Sequence, residues 1–379
     1  MKNFIINMLL KNLIKKIPQR FKNLKIKGLA LNSKDVKKGF IFFAIKGNNL
    51  NGENFINKAI KKGAIAIVCS KNCNFKSETT FIIKTSKVKY HLSKITSKFY
   101  KLKPKNIIAV TGTNGKTSVA DFFYQILNIN NISVASIGTL GIKYKNKFIK
   151  SNLTSPNIID LHKNLQKLKK LNIENVIIEA SSHGLDQGRL DDINLKAGIF
   201  TNFSQDHLDY HKTMKAYLKA KLILFKKLLS KKGYVISDRE LKEYKILKKI
   251  SKDRKLKILD INKTFNIIKN SSLSLIGEFQ KKNLSMAINA ARLCNLKKLK
   301  IIKALRNIKN VNGRLELIKT YHNNIRVFVD YAHTPDALKE VLKSINNIYG
   351  NKISLVFGCG GERDLKKRPL MAKIDKYIC

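Results

Sequence analysis

The stretch from residue 107 to residue 127 constrains the fold more than any other part of the sequence. An apolar run at 107–110 predicts a buried strand, the segment 111–117 (Thr-Gly-Thr-Asn-Gly-Lys-Thr) predicts a tight turn, and the apolar spacing of 119–127 predicts a helix. Glycines let backbone N–H groups approach phosphate oxygens, and a helix N-terminus favours negative charge. We therefore predict a phosphate-binding loop, in a shortened form because Val110 stands where the general pattern has its first glycine.

Two side chains at the end of this segment have roles that follow from their chemistry. Lys116 is expected to reach the β- and γ-phosphates of a nucleotide, and the Thr117 hydroxyl is expected to ligate Mg²⁺. An incidental lysine beside a glycine turn is the alternative interpretation. The order of strand, loop and helix argues against it.

The rest of the chain alternates strand-like and helical patterns. Such alternation favours an α/β fold with a mostly parallel sheet covered on both faces. Pro104 ends a first small α/β unit, and a last unit follows Arg314, with strands expected at 326–330 and 353–357 around a helix at 335–348. The predicted domains are therefore 1–104, 105–314 and 315–379.

The charge of the chain does not by itself define a partner. Lys and Arg number 76 against 25 Asp and Glu, a net charge of +51. The lysines are spread through every segment rather than clustered, so we expect no nucleic-acid partner, although a basic nucleic-acid-binding protein remains an alternative. Scattered cysteines and the lack of a long apolar run predict a cytoplasmic protein without membrane insertion, and we expect a monomer.

Further motifs follow the phosphate loop along the chain. They are Glu-Ala-Ser-Ser-His-Gly-Leu at 179–185, Asp-His-Leu-Asp-Tyr-His at 206–211, Gly-Arg-Leu-Glu at 313–316, Asp-Tyr-Ala-His-Thr-Pro-Asp-Ala-Leu at 330–338 and Gly-Cys-Gly-Gly-Glu-Arg-Asp at 358–364. In this order, and together with the phosphate loop, they resemble the Mur ligases, the ATP-dependent amide-forming enzymes of peptidoglycan precursor synthesis.

This resemblance implies a three-domain α/β architecture with a central phosphate-loop parallel sheet and an incomplete C-terminal Rossmann-like domain. It implies ATP and Mg²⁺ as cofactors and UDP-N-acetylmuramoyl-L-alanyl-D-glutamate as the acid substrate, activated as an acyl phosphate. The incoming amine is expected to be meso-diaminopimelate, with lysine as the alternative.

The resemblance also implies roles for individual residues. Lys116, Lys221 and His207 are the expected catalytic residues, and Lys221 is expected to carry a carbamate as N6-carboxylysine, with Lys219 as the alternative if the register differs. The expected Mg²⁺ ligands are Thr117, Glu179, His207 and Lys221. The expected ATP-binding residues are Gly112, Thr113, Asn114, Gly115, Lys116, Thr117, Asn283, Arg314 and Asp330.

Substrate-binding residues are carried over from the same resemblance. They are Leu31, Ser33, Thr154, Ser155, Ser181, Gln187, Arg189 and Arg363. Leu31 and Ser33 are expected at the uridine and Arg363 at the acceptor amino acid. His183, His211 and His333 are expected to serve loop structure.

The last predicted domain departs from the family pattern. Its 315–379 segment is about half a usual domain, and the Asp-Asn-Pro-Arg run that selects the acceptor in the family is not found in it. We therefore expect a C-terminally truncated ligase. The alternative is a chain that binds nucleotide and UDP-sugar without ligating.

Overall fold

The computed structural model describes residues 7–47, 50–150, 153–271, 273, 275–350, 353–359, 364–365 and 367–378. Two compact units are formed, one by Met1–Lys103, Asn157–Leu171 and Gly188–Ile193, the other by Pro104–Pro156, Asn172–Gln187 and Asn194–Cys379. Across the described ranges, no helix is both long enough and apolar enough to cross a membrane.

Strands and helices alternate along most of the chain. The strands are β1 Met8–Leu9, β2 Lys25–Ile26, β3 Gly28–Ala30, β4 Phe40–Phe43, β5 Ala64–Ser70, β6 Phe81–Thr85, β7 Asn106–Thr111, β8 Val134–Gly138, β9 Gly141–Tyr144, β10 Lys147–Ile149, β11 Asn175–Glu179, β12 Leu195–Phe200, β13 Leu229–Ser237, β14 Lys257–Asp260, β15 Glu316–Thr320 and β16 Arg326–Val329. The α-helices are α1 Leu10–Leu13, α2 Ile56–Lys61, α3 Val88–Phe99, α4 Lys116–Ile129, α5 Ile158–Lys170, α6 Ser182–Asp186, α7 Leu208–His211, α8 Met214–Ile223, α9 Tyr244–Asp253, α10 Asn262–Lys269, α11 Glu278–Arg292, α12 Lys298–Leu305, α13 Pro335–Tyr349 and α14 Lys367–Ile378.

The first unit is built on a parallel sheet with the strand order β3-β4-β5-β6. Alternate residues of β4 point to opposite faces, and both faces are buried: Ile41 and Phe43 join one apolar cluster, whereas Phe42 joins another. This explains why the strand reads as a continuous apolar run, as parallel strands buried on both faces do.

The second unit is built on an eight-stranded sheet with the order β10-β9-β8-β11-β7-β12-β13-β14. The six strands from β8 to β14 in this order are parallel, as expected. Helices α4 and α11 pack together over the apolar face of the sheet. Because β7 lies between β11 and β12, the carboxyl ends of these three strands meet at one edge, the usual ligand site of such sheets.

One edge of this sheet differs from the all-parallel expectation. β8, β9 and β10 pair antiparallel, and a two-residue turn at Lys145 and Asn146 joins β9 to β10. Both turn residues have positive φ, 45° and 55°. That is the geometry of the hairpin turns that match strand twist.

The C-terminal part of the second unit confirms the helix that we predicted at 335–348, which is α13, and the strand at 326–330, which is β16. The predicted strand at 353–357 is wrong, because this stretch is irregular and Val356 is 98% exposed. A strand needs a ladder partner, and within the described residues β15 and β16 pair with each other alone. Helices α13 and α14 instead bury Leu338, Leu342 and Met371.

Candidate active site

The phosphate loop lies at the carboxyl edge of the central sheet and is held by the residues that follow β12. The Thr201 amide donates to the Thr111 carbonyl at 2.9 Å, and the Thr113 amide donates to the Asn202 carbonyl at 3.1 Å. The Asn202 side chain accepts from the Asn114 amide at 2.8 Å. The loop is therefore tied to its neighbouring strand along most of its length.

Two glycines of the loop are required by both conformation and space. Gly112 has φ of +150° and Gly115 has φ of +83°. A Cβ at Gly112 would clash with the Thr201 hydroxyl, and one at Gly115 would clash with the Asn283 side chain. Asn283, on α11, therefore lies directly against the loop, in contact with the residue that precedes α4.

Two lysines converge on one carbonyl of the loop. Lys116 Nζ donates to the Gly112 carbonyl at 3.0 Å and to that of Thr113 at 2.7 Å, and Lys221 Nζ donates to the Gly112 carbonyl at 2.7 Å. Burial lowers the pKa of Lys116, against the nearby charge of Glu179. Burial, followed by the charge of Lys116, lowers the pKa of Lys221 well below its usual value. Both causes shift Lys221 in the direction of the neutral amine.

The structure distinguishes between the two lysines of α8 that the sequence left open. Lys221 is 1% exposed and its Nζ lies 4.2 Å from the centre of the Tyr217 ring, one helical turn earlier. Lys219 is exposed. Lys221 is thus the lysine of this pair that lies at the phosphate loop.

Glu179, at the end of β11, is hydrogen-bonded to the last residue of the loop. It is 2% exposed. Its Oε2 accepts from the Thr117 hydroxyl at 2.9 Å and from the Thr139 hydroxyl at 3.2 Å, and its Oε1 accepts from the Thr139 amide at 2.9 Å. A Cβ at Gly138 would clash with this carboxylate. Arg314 Nη2 also donates to the Thr117 hydroxyl, at 3.1 Å.

The donor set at Thr117 and Glu179 fits Mg²⁺. A hydroxyl and a buried carboxylate are hard oxygen ligands, and Mg²⁺ commonly takes one or two carboxylates together with waters and substrate phosphates. Within the described ranges, no group of three His, Cys, Asp or Glu side chains forms a complete cage for a metal. The chemistry of these two donors therefore suits an ion shared with a phosphate.

Asp206 and His207 follow Thr201 and Asn202, the residues that hold the phosphate loop. His207 adopts a left-handed conformation with φ of 55°, and its Nε2 lies 3.3 Å from Asp206 Oδ2. Burial lowers the pKa of His207 to about 3, so the ring is neutral at pH 7, the form that ligates metals. Burial alone would raise the pKa of Asp206, but a hydrogen bond from His333 and neighbouring positive charges hold it well below its usual range.

Arg314 and Asp330 are brought close together by the start of the C-terminal part. The Leu315 amide donates to Asp330 Oδ2 at 2.6 Å, which fixes the backbone beside Arg314. The Arg314 guanidinium lies 4.5 Å from the Tyr331 ring centre. Burial lowers the pKa of Arg314 and raises that of Asp330. Arg314 thus contacts the phosphate loop through the Thr117 hydroxyl, whereas Asp330 contacts the backbone of Leu315.

Several predicted substrate residues form one hydrogen-bonded group beside Glu179. The buried Ser155 hydroxyl donates to the Glu179 carbonyl at 2.8 Å and lies 3.0 Å from the Ser181 hydroxyl, which caps α6. Thr154 Oγ1 lies 3.1 Å from the Thr139 hydroxyl oxygen. Gln187, which is exposed, donates to the Tyr210 hydroxyl at 3.4 Å.

Leu31, Ser33 and Arg189 belong to the first unit, where the buried Ser33 begins a 3₁₀ turn and Leu31 packs on an apolar cluster. Arg363 lies outside the described residues.

The first unit contains a cavity that the sequence reasoning missed. It has a volume of about 340 Å³ and lies where β4, β5 and β6 end. Its polar lining comprises Lys46, Lys87, Lys89, Asn51, Glu53, Ser70, Thr85 and Ser86. Glu53 Oε1 accepts from the Ser70 amide at 2.9 Å. The signal in the sequence is positional, since Ser70 and Thr85 end β5 and β6 and Lys46 follows β4 closely.

These features define a phosphate-loop α/β protein with two lysines, Lys116 and the buried Lys221, at its loop. Three family models match the chain: Mur ligase family, catalytic domain, at residues 25–103; Mur ligase middle domain at 110–269; and Mur ligase, glutamate ligase domain, at 313–379. The chain belongs to the Mur ligase family, and it has that family's three-domain fold with a Rossmann-like C-terminal domain.

Several similar proteins carry the name of the same enzyme. A protein of Rickettsia bellii (strain RML369-C) named UDP-N-acetylmuramoyl-L-alanyl-D-glutamate--2,6-diaminopimelate ligase is 39% identical over 389 residues, which cover 96% of this chain and 80% of the relative. A protein of the same name from Aquifex aeolicus (strain VF5) is 39% identical over 374 residues, 93% of this chain and 76% of the relative. A solved structure of a ligase of that name superposes with a TM-score of 0.75 at 26% identity, covering 98% of this chain and 81% of that one.

Proposed function

We propose that this chain is an ATP-dependent ligase that joins meso-diaminopimelate to UDP-N-acetylmuramoyl-L-alanyl-D-glutamate. The convergence of Lys116 and Lys221 on the Gly112 carbonyl, beside the Thr117–Glu179 pair, carries the proposal. The relatives named above support the choice of substrates.

An amide bond cannot form directly from a carboxylate, which is a poor electrophile at neutral pH. In the proposed reaction a carboxylate oxygen of the substrate attacks the γ-phosphorus of ATP, and ADP leaves. The amine then attacks the acyl carbon, loses a proton and displaces inorganic phosphate. Catalysis of the first step is mostly a matter of position and charge.

The residues at the loop have distinct tasks in this scheme. Backbone N–H groups at the start of α4 cradle the phosphates, Lys116 neutralises them and Arg314 adds positive charge next to Thr117. Thr117 and Glu179 would hold Mg²⁺, which supplies further neutralisation of the phosphate charge when bound. A carbamate on Lys221 would place a negative charge at this buried position, where the charge of Lys116 would stabilise it.

The nucleotide half of the acid substrate is proposed to bind in the cavity of the first unit. The cavity lies at the carboxyl edge of a parallel sheet, and Lys46, Lys87 and Lys89 give it positive charge suited to a diphosphate. Thr154, Ser155, Ser181, Gln187 and Arg189 are proposed to hold the muramoyl-peptide. A cytoplasmic location, a monomeric state and the lack of a nucleic-acid partner remain predictions.

The test is formation of the UDP-linked tripeptide, detected by mass spectrometry, with ADP release measured in parallel. Wild-type chain is supplied with ATP, Mg²⁺ and the acid substrate, with meso-diaminopimelate, L-lysine or no amine. We expect product with diaminopimelate and at least about a hundredfold less with lysine, a difference of about 3 kcal/mol in transition-state binding. Lys116→Ala should release no ADP, whereas Lys219→Ala, an exposed lysine, should match wild type. Equal ADP release by Lys116→Ala would contradict the proposal.

A further inference from the structure

Asp206 is a buried carboxylate that joins segments far apart in the sequence. It is 2% exposed, and Lys367, the first residue of α14, is 4% exposed. Lys367 Nζ donates to Asp206 Oδ1 at 3.2 Å, and His333 Nε2 lies 3.4 Å from Oδ2. The loop after β12 is thus connected to the 330–338 motif and to the start of α14. We refer to Asp206, His333 and Lys367 as the Asp206 anchor.

Both nitrogens of the His333 ring face oxygen atoms. Nδ1 lies 2.9 Å from the Tyr331 carbonyl, and Nε2 faces Asp206. A neighbouring contact supports the same arrangement, since Gln205 Nε2 donates to Asp364 Oδ2 at 3.2 Å.

A buried ion pair is an inefficient way to stabilise a fold, because desolvation offsets most of the attraction and an apolar replacement is often as stable. A buried ion pair does fix the relative position of the two segments that carry its charges, because each buried charge requires its partner. The position fixed here is close to the phosphate loop. Thr334, next to His333, caps α13 and contacts the Asn114 amide group at 3.2 Å.

We propose that Asp206 is a positioning residue that holds His333 and Lys367 so that Thr334 contacts the phosphate loop. Its carboxylate couples the placement of the C-terminal part to the geometry of the nucleotide site. His333, which we expected to serve loop structure alone, is then part of this coupling. The consequence for turnover rests on the proposed ligase function, whereas the structural coupling does not.

The test compares Asp206→Asn, Lys367→Met and the double variant with wild type. Asp209→Asn, an exposed acid three residues away, is the matched control. Hydrogen–deuterium exchange is followed by mass spectrometry at 331–338 and 367–374, with β7 and β11 as internal references. We expect each single variant to raise exchange in both segments by about tenfold and the double variant to add little, as coupled residues do. Exchange in β7 and β11 should not change.

Steady-state kinetics separate positioning from simple destabilisation. In Asp206→Asn, kcat should fall about 30-fold, since small misplacements near a reacting group are costly, while KM for ATP stays within about twofold. Unchanged exchange in both segments overturns the proposal, and so does raised exchange with an unchanged kcat in an active wild type. An inactive wild-type chain contradicts the proposed ligation, while the exchange measurement still decides whether the anchor exists.

Discussion

Glu179 allows a prediction whose magnitude can be worked from its contacts. Its carboxylate accepts three hydrogen bonds while 2% exposed: two from Thr139 and one from Thr117. In Glu179→Gln, one amide oxygen still accepts from the Thr139 backbone, and the two hydroxyl groups can rotate to accept from the new NH₂ group. The hydrogen bonds change direction rather than disappear. We therefore expect the free energy of unfolding to fall by only about 1–2 kcal/mol.

The effect on catalysis should be much larger, because the charge that would hold Mg²⁺ next to Thr117 is lost. Loss of one electrostatic partner in a site of this kind lowers kcat by about a hundredfold to a thousandfold. The assay is ADP release at increasing Mg²⁺, together with thermal unfolding of the same sample. Glu278→Gln, at a carboxylate that is 60% exposed, is the control and should change neither quantity. A Glu179→Gln kcat within tenfold of wild type at saturating Mg²⁺ would refute the reasoning.

Three further predictions address Lys221, the cavity of the first unit and His162. Lys221→Arg carries a positive charge but cannot form a carbamate, so ligation should fall at least about a hundredfold. Wild-type activity should also fall in bicarbonate-depleted buffer, because the carbamate forms from CO₂. Lys219→Arg is the control, and a fully active Lys221→Arg would exclude the carbamate. Lys87→Gln should raise KM for the UDP-substrate by about threefold to tenfold with kcat unchanged, and an unchanged KM would place the diphosphate elsewhere. Burial, then the charge of Lys103, lowers the pKa of His162 from 6.5 to about 4. As the pH falls, His162 is therefore protonated in the unfolded chain before it is protonated in the folded one. Urea titrations should show a loss of about 3 kcal/mol in the free energy of unfolding between pH 6.5 and about 4. His162→Gln should remove this loss, and an equal loss in that variant would exclude His162 as its source.

The parts of the fold that the sequence predicted are those set by local patterns. The strand, loop and helix of the phosphate site follow from apolar runs on either side of a glycine turn, and they correspond to β7 and α4. The stretch 353–357 has an equally apolar pattern but forms no strand, because pairing depends on a partner rather than on the run itself. The Asp206 anchor was also missed. Asp206 and Lys367 are 161 residues apart, and no local pattern reports such a contact.

Lys219 and Lys221 can be distinguished in part by the periodicity of the helix that carries them. Two residues apart on a helix, the two side chains point to nearly opposite faces. Tyr217 lies four residues before Lys221, and residues with this spacing share a face, so burial of the Tyr217 ring takes Lys221 with it. Lys221 contacts the Gly112 carbonyl and the Tyr217 hydroxyl contacts that of Thr113, and both partners belong to a loop more than 100 residues earlier. Helical periodicity can therefore select the lysine, but only the fold of the sheet shows that the selected face meets the phosphate loop.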